Sequence, residues 1–235
     1  MKKLTESFLN ILYPRRCPLC HEILKEQDSL ICEKCRETLS PIEEPRCYKC
    51  GKPVREREEY CSDCASVQHF YDRGRGIFVY DERMRQSLVR YKYYGCREYG
   101  DFYSRAMCLY GKKELALWKP ELIVPVPVHR TKERRRGFNQ AAYLAERMSG
   151  YTGIPADLTL VKKIRKTKSQ KKLTAHQRQE NLKKAFEVQY PVSAGRILVV
   201  DDVYTTGSTI DAMARCLKEK GAEKIYFLTV CIGER

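Results

Sequence analysis

Two hydrophobic patterns divide most of the chain into candidate helices and strands. Apolar residues recur three and four positions apart in residues 84–95, 137–150 and 209–222, which predicts an amphipathic helix in each. Apolar runs typical of strands occupy residues 70–82, 121–130, 195–200 and 224–232. Gly95 and Gly100 predict a break after the first helix, and Gly150 predicts the end of the second. The strand, helix and strand of residues 195–232 predict a βαβ unit, so the fold class is α/β with a parallel sheet.

Cysteine spacing sets the N-terminal part of the chain apart. Eight of the 12 cysteines form four C-x-x-C pairs, separated by 11, 11 and 10 residues: Cys17/Cys20, Cys32/Cys35, Cys47/Cys50 and Cys61/Cys64. Each C-x-x-C turn directs two thiolates at one point, and two turns supply the tetrahedral four-sulfur shell of structural zinc. Disulfides would require an oxidising compartment, and iron–sulfur clusters generally use other spacings. We expect two structural zinc ions with ligands taken in chain order, while pairing of the first turn with the third stays open.

Length and charge limit the possible domain organisation and the possible binding partners. The 235 residues fit a small module at residues 1–65 and one medium domain at residues 66–235. The net charge is +15, but residues 17–64 hold 8 basic and 11 acidic side chains, so the larger domain carries the positive charge and favours a polyanionic partner. No apolar stretch reaches the roughly 18 residues of a membrane span. The first 12 residues predict a short amphipathic helix rather than a signal peptide, so we expect a cytoplasmic protein.

The segment VVDDVYTTGST, residues 199–209, places two carboxylates directly after a buried strand and before a helix. In open α/β sheets, ligands bind beyond the carboxyl ends of the strands. Hydroxyls, backbone amides and Gly207 at a helix start predict a cradle for a phosphate monoester. Asp201 and Asp202 beside it suit sugar hydroxyls or magnesium, so the expected ligand is a ribose 5-phosphate. The simpler alternative is a turn in which Asp202 and Thr205 cap the next helix.

This segment resembles the phosphoribosylpyrophosphate (PRPP) motif of type I phosphoribosyltransferases. Further stretches extend the resemblance to the ComF family of competence-associated proteins: the cysteine pairs, LVRYKYYG from residue 88, VPVPVHRTKERRRGFNQA from residue 124, and RKTKSQKKLTAHQRQENLKKAF from residue 165. The resemblance implies a parallel sheet of the phosphoribosyltransferase type with a small N-terminal zinc-ribbon module. It also implies a mobile loop at residues 165–178 that closes over the substrate.

The same resemblance implies roles for individual residues. Asp201 and Asp202 would hold the ribose hydroxyls, directly or through magnesium. The 5′-phosphate would be held by Thr205, Thr206, Gly207, Ser208 and Thr209. Pyrophosphate would lie at Val128, His129 and Arg130, and the signature helix start comprises Arg136, Gly137, Phe138, Asn139 and Gln140. The candidate catalytic residues are Asp201, Asp202, His129 and Arg130, although a lone histidine is more often an ordinary loop residue than a general acid.

Two functions compete. One is a phosphoribosyltransferase that uses PRPP and magnesium, with an unidentified acceptor, since nothing here resembles a purine, pyrimidine or orotate pocket. The other, which we favour, is implied by the ComF resemblance: handling of single-stranded DNA in natural transformation, with a competence helicase or channel protein as the kind of partner expected. Basic residues 162–172 and the tyrosines Tyr91, Tyr93 and Tyr94 are then the expected contacts for phosphates and bases. A solvated loop and packed tyrosines are the simpler alternatives.

Overall fold

The computed structural model describes residues 14–26, 28–164 and 185–233. Its helices are α1 (Glu33–Glu37), α2 (Ser62–Ser66), α3 (Glu82–Tyr93), α4 (Tyr99–Tyr110), α5 (Lys112–Trp118), α6 (Arg130–Arg136), α7 (Gln140–Thr152) and α8 (Ser208–Lys218). Its strands are β1 (Arg73–Val79), β2 (Leu122–Pro125), β3 (Val161–Lys163), β4 (Phe186–Val188), β5 (Arg196–Tyr204) and β6 (Lys224–Ile232). The helix expected in residues 1–12 and the loop expected at 165–178 lie outside the described residues. None of the described helices combines the length and the apolar character needed to cross a membrane.

Four strands form one parallel sheet in the order β1-β6-β5-β2. The predicted βαβ unit provides its two central strands, because β5 and β6 pair in parallel and α8 connects them. β5 is longer than its apolar run: Asp201 and Tyr204 continue the pairing opposite Thr229 and Ile232. β3 and β4 form a separate antiparallel pair. The acidic pair therefore belongs to a strand, which fixes its backbone.

Side chains of β5 alternate between the two faces of the sheet, as a strand requires. Ile197 and Val199 pack in an apolar cluster with α8 and β4. Leu198 and Val200 pack on the opposite face, in another group of apolar side chains, with α3, α4 and α7. The sheet is thus covered on both faces, which is why β5 and β6 carry continuous apolar runs.

Two glycines that were expected to interrupt the chain lie inside helices. Gly100 is in α4, where an added Cβ atom would lie 2.4 Å from a ring carbon of Tyr143. The missing side chain allows α4 and α7 to approach closely, so packing outweighs the low helix propensity of glycine. α7 likewise continues through Gly150 to Thr152 and is capped by Gly153. The break expected after the first helix is present, since α3 ends at Tyr93 and α4 begins at Tyr99, but Gly100 lies inside α4. The end expected at Gly150 was wrong, because α7 ends at Thr152.

The cysteine-rich segment packs against both apolar clusters. Cys17 belongs to the cluster of α3 and α4, and Cys50 belongs to the cluster of α8. The backbone N–H of Ile42 donates to the carbonyl of Ile77 in β1 at 2.8 Å. The boundary after residue 65 stays a prediction, but the two parts share their cores.

Candidate functional site

The acidic pair lies at the carboxyl end of β5 and meets the end of α3. Lys92, in the last turn of α3, forms an ion pair with Asp202 through Nζ and Oδ2. The two side chains are largely buried, with exposed fractions of 19% and 13%. Asp201 Oδ1 accepts a hydrogen bond of 2.9 Å from the backbone N–H of Asp202. The site therefore combines both predicted acids with a lysine from another element.

The two carboxyl groups have opposite pKa shifts. Burial raises the pKa of Asp201 well above its usual range, and the charge of Asp202 adds to the rise. Burial also acts to raise the pKa of Asp202, but the charge of Lys92 outweighs it, so that pKa is lowered. Burial acts to lower the pKa of Lys92, and attraction to Asp202 outweighs it, so that pKa is raised. The arrangement favours a protonated Asp201 beside a neutral ion pair.

The loop between β5 and α8 has the form of a phosphate cradle. Gly207 is the N-cap of α8 at φ 77°, and no side-chain cap is present among the described residues. Capping by an aspartate or threonine of the motif was therefore wrong, and the amides of the first turn are left for a ligand. The hydroxyls of Thr206 and Ser208 are 2.9 Å apart and hydrogen bonded to each other. An added Cβ at position 207 would lie 2.6 Å from Tyr204 Oη, so glycine is required there.

The loop after β2 lies next to the acidic pair, because β2 is the parallel neighbour of β5. Val128 and His129 follow the strand and lead into α6, which begins at the exposed Arg130. His129 Nδ1 accepts a long hydrogen bond of 3.3 Å from the N–H of Thr131 and caps α6. The structure thus shows a capping role for His129, and its catalytic role stays a prediction.

The signature residues connect α6, α7 and the end of α3. Arg136 donates from Nη2 to Tyr93 Oη at 2.7 Å and from Nη1 to Gln140 Oε1 at 2.6 Å. Asn139 caps α7 and donates from Nδ2 to the carbonyl of Val126, which follows β2, at 3.2 Å. These contacts hold the three helices around the site.

Gly137 and Phe138 complete this junction. Gly137 ends α6 in the left-handed conformation. The ring of Phe138 meets Tyr91 edge to face at 5.4 Å between centroids, and the Arg97 guanidinium lies 5.3 Å from its centroid. Phe138 precedes α7, although the periodicity placed it inside the helix.

Lys92 and Lys163 lie at the site but were not among the predicted site residues. Lys163, in β3, has a pKa lowered chiefly by burial and by the charge of Lys132, with Asp201 opposing both. Lys92 follows Leu88 by four residues, on the apolar face of α3. A lysine at a core-facing helical position was the signal available in the sequence. The three residues of β3 carry no comparable signal.

The cysteines form two groups with the geometry of tetrahedral zinc sites. The first cluster is Cys17, Cys20, Cys32 and Cys35, and the second cluster is Cys47, Cys50, Cys61 and Cys64; in each, the sulfur atoms lie within 4.8 Å of one another. Sγ–Sγ distances are 3.7 Å for Cys20 and Cys32 and 3.6 Å for Cys50 and Cys61. A zinc–sulfur bond of about 2.3 Å in a tetrahedron requires about 3.8 Å. The pairing follows chain order as predicted, and the crossed arrangement was wrong.

Family models cover most of the chain in two pieces. Residues 8–65 match a model described as a double zinc ribbon domain, and residues 134–235 match a phosphoribosyl transferase domain. Together with the parallel sheet and the cysteine clusters, they define a phosphoribosyltransferase-type α/β protein with an N-terminal double zinc ribbon.

Three curated relatives match nearly the whole chain. Competence protein F of Haemophilus influenzae is 30% identical over 220 residues, which are 89% of this chain and 93% of that protein. DNA utilization protein YhgH of Escherichia coli is 29% identical over 93% of this chain and 97% of its own length. Competence protein ComFC of Bacillus subtilis is 31% identical over 84% and 82%. The chain belongs to the ComF family.

Proposed function

We propose that this protein binds the phosphoribosyl group of PRPP, together with magnesium, and handles single-stranded DNA in a competence or DNA-uptake pathway. The observation that carries the proposal is the meeting of an acidic pair, Lys92 and a glycine-capped helix start at one edge of the sheet. The names of the relatives support the pathway. Eight zinc-binding thiolates suit a reducing compartment such as the cytoplasm.

The residues present fit a sugar phosphate with magnesium. Asp201 and Asp202 offer carboxylate oxygens, the donors that magnesium prefers. Gly207 lets a phosphate approach the amides at the start of α8. Arg136 Nε is buried without a hydrogen-bond partner in the part of the chain that the structure describes, so a donor remains for an anion.

Each part of the site would have a separate role in the complex. Asp201 and Asp202 would accept hydrogen bonds from the two ribose hydroxyls. The amides and hydroxyls of residues 205–209 would hold the 5′-phosphate at the positive end of α8. Val128, His129 and Arg130 would receive the pyrophosphate. Magnesium supplies positive charge that offsets the phosphates when it is bound.

A basic surface with exposed aromatic rings adjoins the site and suits single-stranded DNA. α6 carries five basic side chains and one acidic one in the sequence RTKERRR. The guanidinium groups of Arg135 and Arg136 lie 5.3 and 4.8 Å from the centroid of the Tyr93 ring. Tyr94, next to it, is 73% exposed. Cations of this kind contact phosphates, and exposed rings stack with bases.

The proposed DNA-binding surface differs in part from the one expected from the sequence. Tyr91 is fully buried, and its hydroxyl donates to the Gln140 carbonyl at 3.0 Å, so packing was the right interpretation for it. Lys162 and Lys163 lie in β3. The basic stretch from residue 165 onward lies outside the described residues. The proposed DNA contacts therefore rest on α6, Tyr93 and Tyr94.

Calorimetric titration with PRPP at millimolar magnesium tests the phosphoribosyl site. We expect saturable binding that requires magnesium, and its absence in the wild type would refute the site. Release of pyrophosphate in the presence of mixed nucleobases would instead establish the alternative, an active phosphoribosyltransferase. PRPP binding without turnover is the result that the proposal expects.

Fluorescence anisotropy with a labelled single-stranded oligonucleotide across a salt series tests the DNA surface. Replacing Arg134 and Arg135 with glutamine should lower the salt slope by about 1.4, since each phosphate contact on a single strand contributes about 0.7. Lys112 and Lys113, exposed at the start of α5, provide a control with the same change in charge. Equal slopes for the two double variants would contradict the assignment.

A further inference from the structure

A buried chain of contacts joins the second cluster to the phosphate-binding loop. Cys64 Sγ lies 4.0 Å from Tyr71 Oη, which lies 2.7 Å from Tyr204 Oη. The exposed fractions of the two tyrosines are 0% and 3%. A zinc-bound thiolate can only accept a hydrogen bond, so both contacts are satisfied when Tyr204 donates to Tyr71 and Tyr71 donates to Cys64. The second cluster thereby fixes the hydroxyl of Tyr204.

The Tyr204 hydroxyl and His69 both lie directly against Gly207. An added Cβ at Gly207 would lie 2.6 Å from Tyr204 Oη and 3.1 Å from His69 Cε1. His69 is buried and stacks on Tyr71 at 4.8 Å between centroids. Its Nδ1 lies 2.6 Å from Oδ2 of Asp211, in the first turn of α8. The residue after His69 donates its backbone N–H to the other Asp211 oxygen at 2.8 Å. The segment that follows the second cluster thus holds both the loop and the helix it opens.

We propose that Tyr71 and His69 are positioning residues for the phosphate-binding loop, and that through them zinc in the second cluster and a phosphoribosyl ligand strengthen each other's binding. Tyr71 acts through Tyr204, and His69 acts through Asp211. Linkage makes the coupling reciprocal, so the ligand must raise zinc affinity by the factor by which zinc raises ligand affinity. The ligand half of this inference rests on the proposed function, whereas the support of the loop does not.

Hydrogen exchange of residues 203–212 tests the support without any ligand, in the zinc-loaded full chain. Tyr71→Phe keeps the ring and leaves the Tyr204 hydroxyl without its partner, so we expect faster exchange of the loop. His69→Ala should speed exchange at the start of α8. His69→Asn keeps a donor near the position of Nδ1 and should restore a rate close to that of the wild type.

Tyr103→Phe is the matched control. Its hydroxyl is equally buried and hydrogen bonded to Ser87, whose Oγ also donates to the carbonyl of Pro18, between Cys17 and Cys20 of the first cluster. The control therefore loses a comparable hydrogen bond beside the other zinc site. Exchange of residues 203–212 should not change in it.

Ligand and zinc titrations test the coupling. The dissociation constant for PRPP should rise roughly three- to tenfold in Tyr71→Phe and His69→Ala, the effect of one neutral hydrogen bond. Zinc content should stay at that of the wild type. In competition with a chelator, PRPP should raise the zinc affinity of the second cluster and leave that of the first unchanged. The rise should be smaller in Tyr71→Phe.

Unchanged exchange and unchanged PRPP affinity in both Tyr71→Phe and His69→Ala would overturn the proposal, as would an equal effect in Tyr103→Phe. If the wild type binds no PRPP, the proposed function fails, and the exchange rates alone decide the positioning role. If Tyr71→Phe does not fold, the comparison of His69→Ala with His69→Asn decides it.

Discussion

Replacing Lys92 with methionine isolates the charge that neutralises the acidic pair. Methionine keeps most of the apolar stem, while Asp202 loses the cation that it contacts. Removing one partner of a buried ion pair costs about 3–5 kcal/mol. Because Lys92 and Asp202 keep 19% and 13% of their surfaces exposed, we expect the low end, a loss of about 3 kcal/mol in the free energy of unfolding at neutral pH. Urea unfolding followed by the fluorescence of Trp118, the single and buried tryptophan, measures it.

The loss of free energy of unfolding in Lys92→Met should depend on pH, and the pKa shifts give the direction of the change. The Asp202 pKa is lowered by folding, so its contribution is present above the ordinary value of 3.8 and is lost as pH falls through the lower folded value. The Lys92 pKa is raised by folding, so its contribution is present below 10.5 and is lost as pH rises through the higher folded value. The difference between wild type and Lys92→Met should be full near neutrality and shrink toward both ends.

A double-mutant cycle separates this ion pair from packing. In an Asp202→Asn background, Lys92→Met should cost much less, because no carboxylate is left unpaired. Arg85→Met is the control: Arg85 pairs with Glu82 on the exposed face of the same helix, and its loss should leave the free energy of unfolding nearly unchanged. A Lys92→Met protein as stable as the wild type, or strictly additive losses in the cycle, would refute the reasoning.

Four further results are expected. Asp201→Asn should weaken PRPP binding by about 1.5–3 kcal/mol in calorimetry, the range for a hydrogen bond to a charged group. Because the Asp201 pKa is raised, binding that needs its carboxylate releases a proton, so wild-type affinity should rise with pH and that slope should vanish in Asp201→Asn. Gly207→Val should abolish binding, since its Cβ would lie 2.6 Å from Tyr204 Oη, and normal binding would contradict the cradle. Metal analysis should find two zinc ions per chain, one for each cluster. Cys50→Ser should unfold more of the chain than Cys20→Ser by circular dichroism, because Cys50 is buried in the α8 cluster and Cys20 is exposed, and equal effects would contradict the shared core.

Local patterns predicted the parts of the fold that depend on local sequence. The period of α8 and the apolar runs of β5 and β6 were enough for the βαβ unit, and cysteine spacing was enough for two metal sites. α4 was not predicted: Gly100, its second residue, was taken as part of a break, whereas the missing side chain there makes room for Tyr143, more than 40 residues away. The order of the strands is likewise set by pairing and not by local pattern.

The candidate site likewise combines residues that the local sequence predicts with residues that only the fold brings together. Asp201, Asp202 and the loop that follows are contiguous, so their order alone indicated a phosphate cradle. Lys92 reaches Asp202 only through the fold, across more than 100 residues. The expected division into a module at residues 1–65 and a domain at residues 66–235 treats the two parts as separate folding units. Tyr71 and the second cluster lie in one apolar cluster with β5, which argues against that separation.

Two carboxylates beside a phosphate cradle pose an electrostatic problem, and the structure suggests how it is solved. Lys92 neutralises Asp202, and burial favours the protonated form of Asp201, so the pair presents little negative charge to an arriving phosphate. α6 adds four net positive charges beside it. In the proposed complex, magnesium would need the Asp201 carboxylate and would have to displace its proton, which the charge of the metal and the sugar hydroxyls of a ligand would both favour. Metal alone should therefore bind weakly, and metal and phosphoribosyl ligand should bind together.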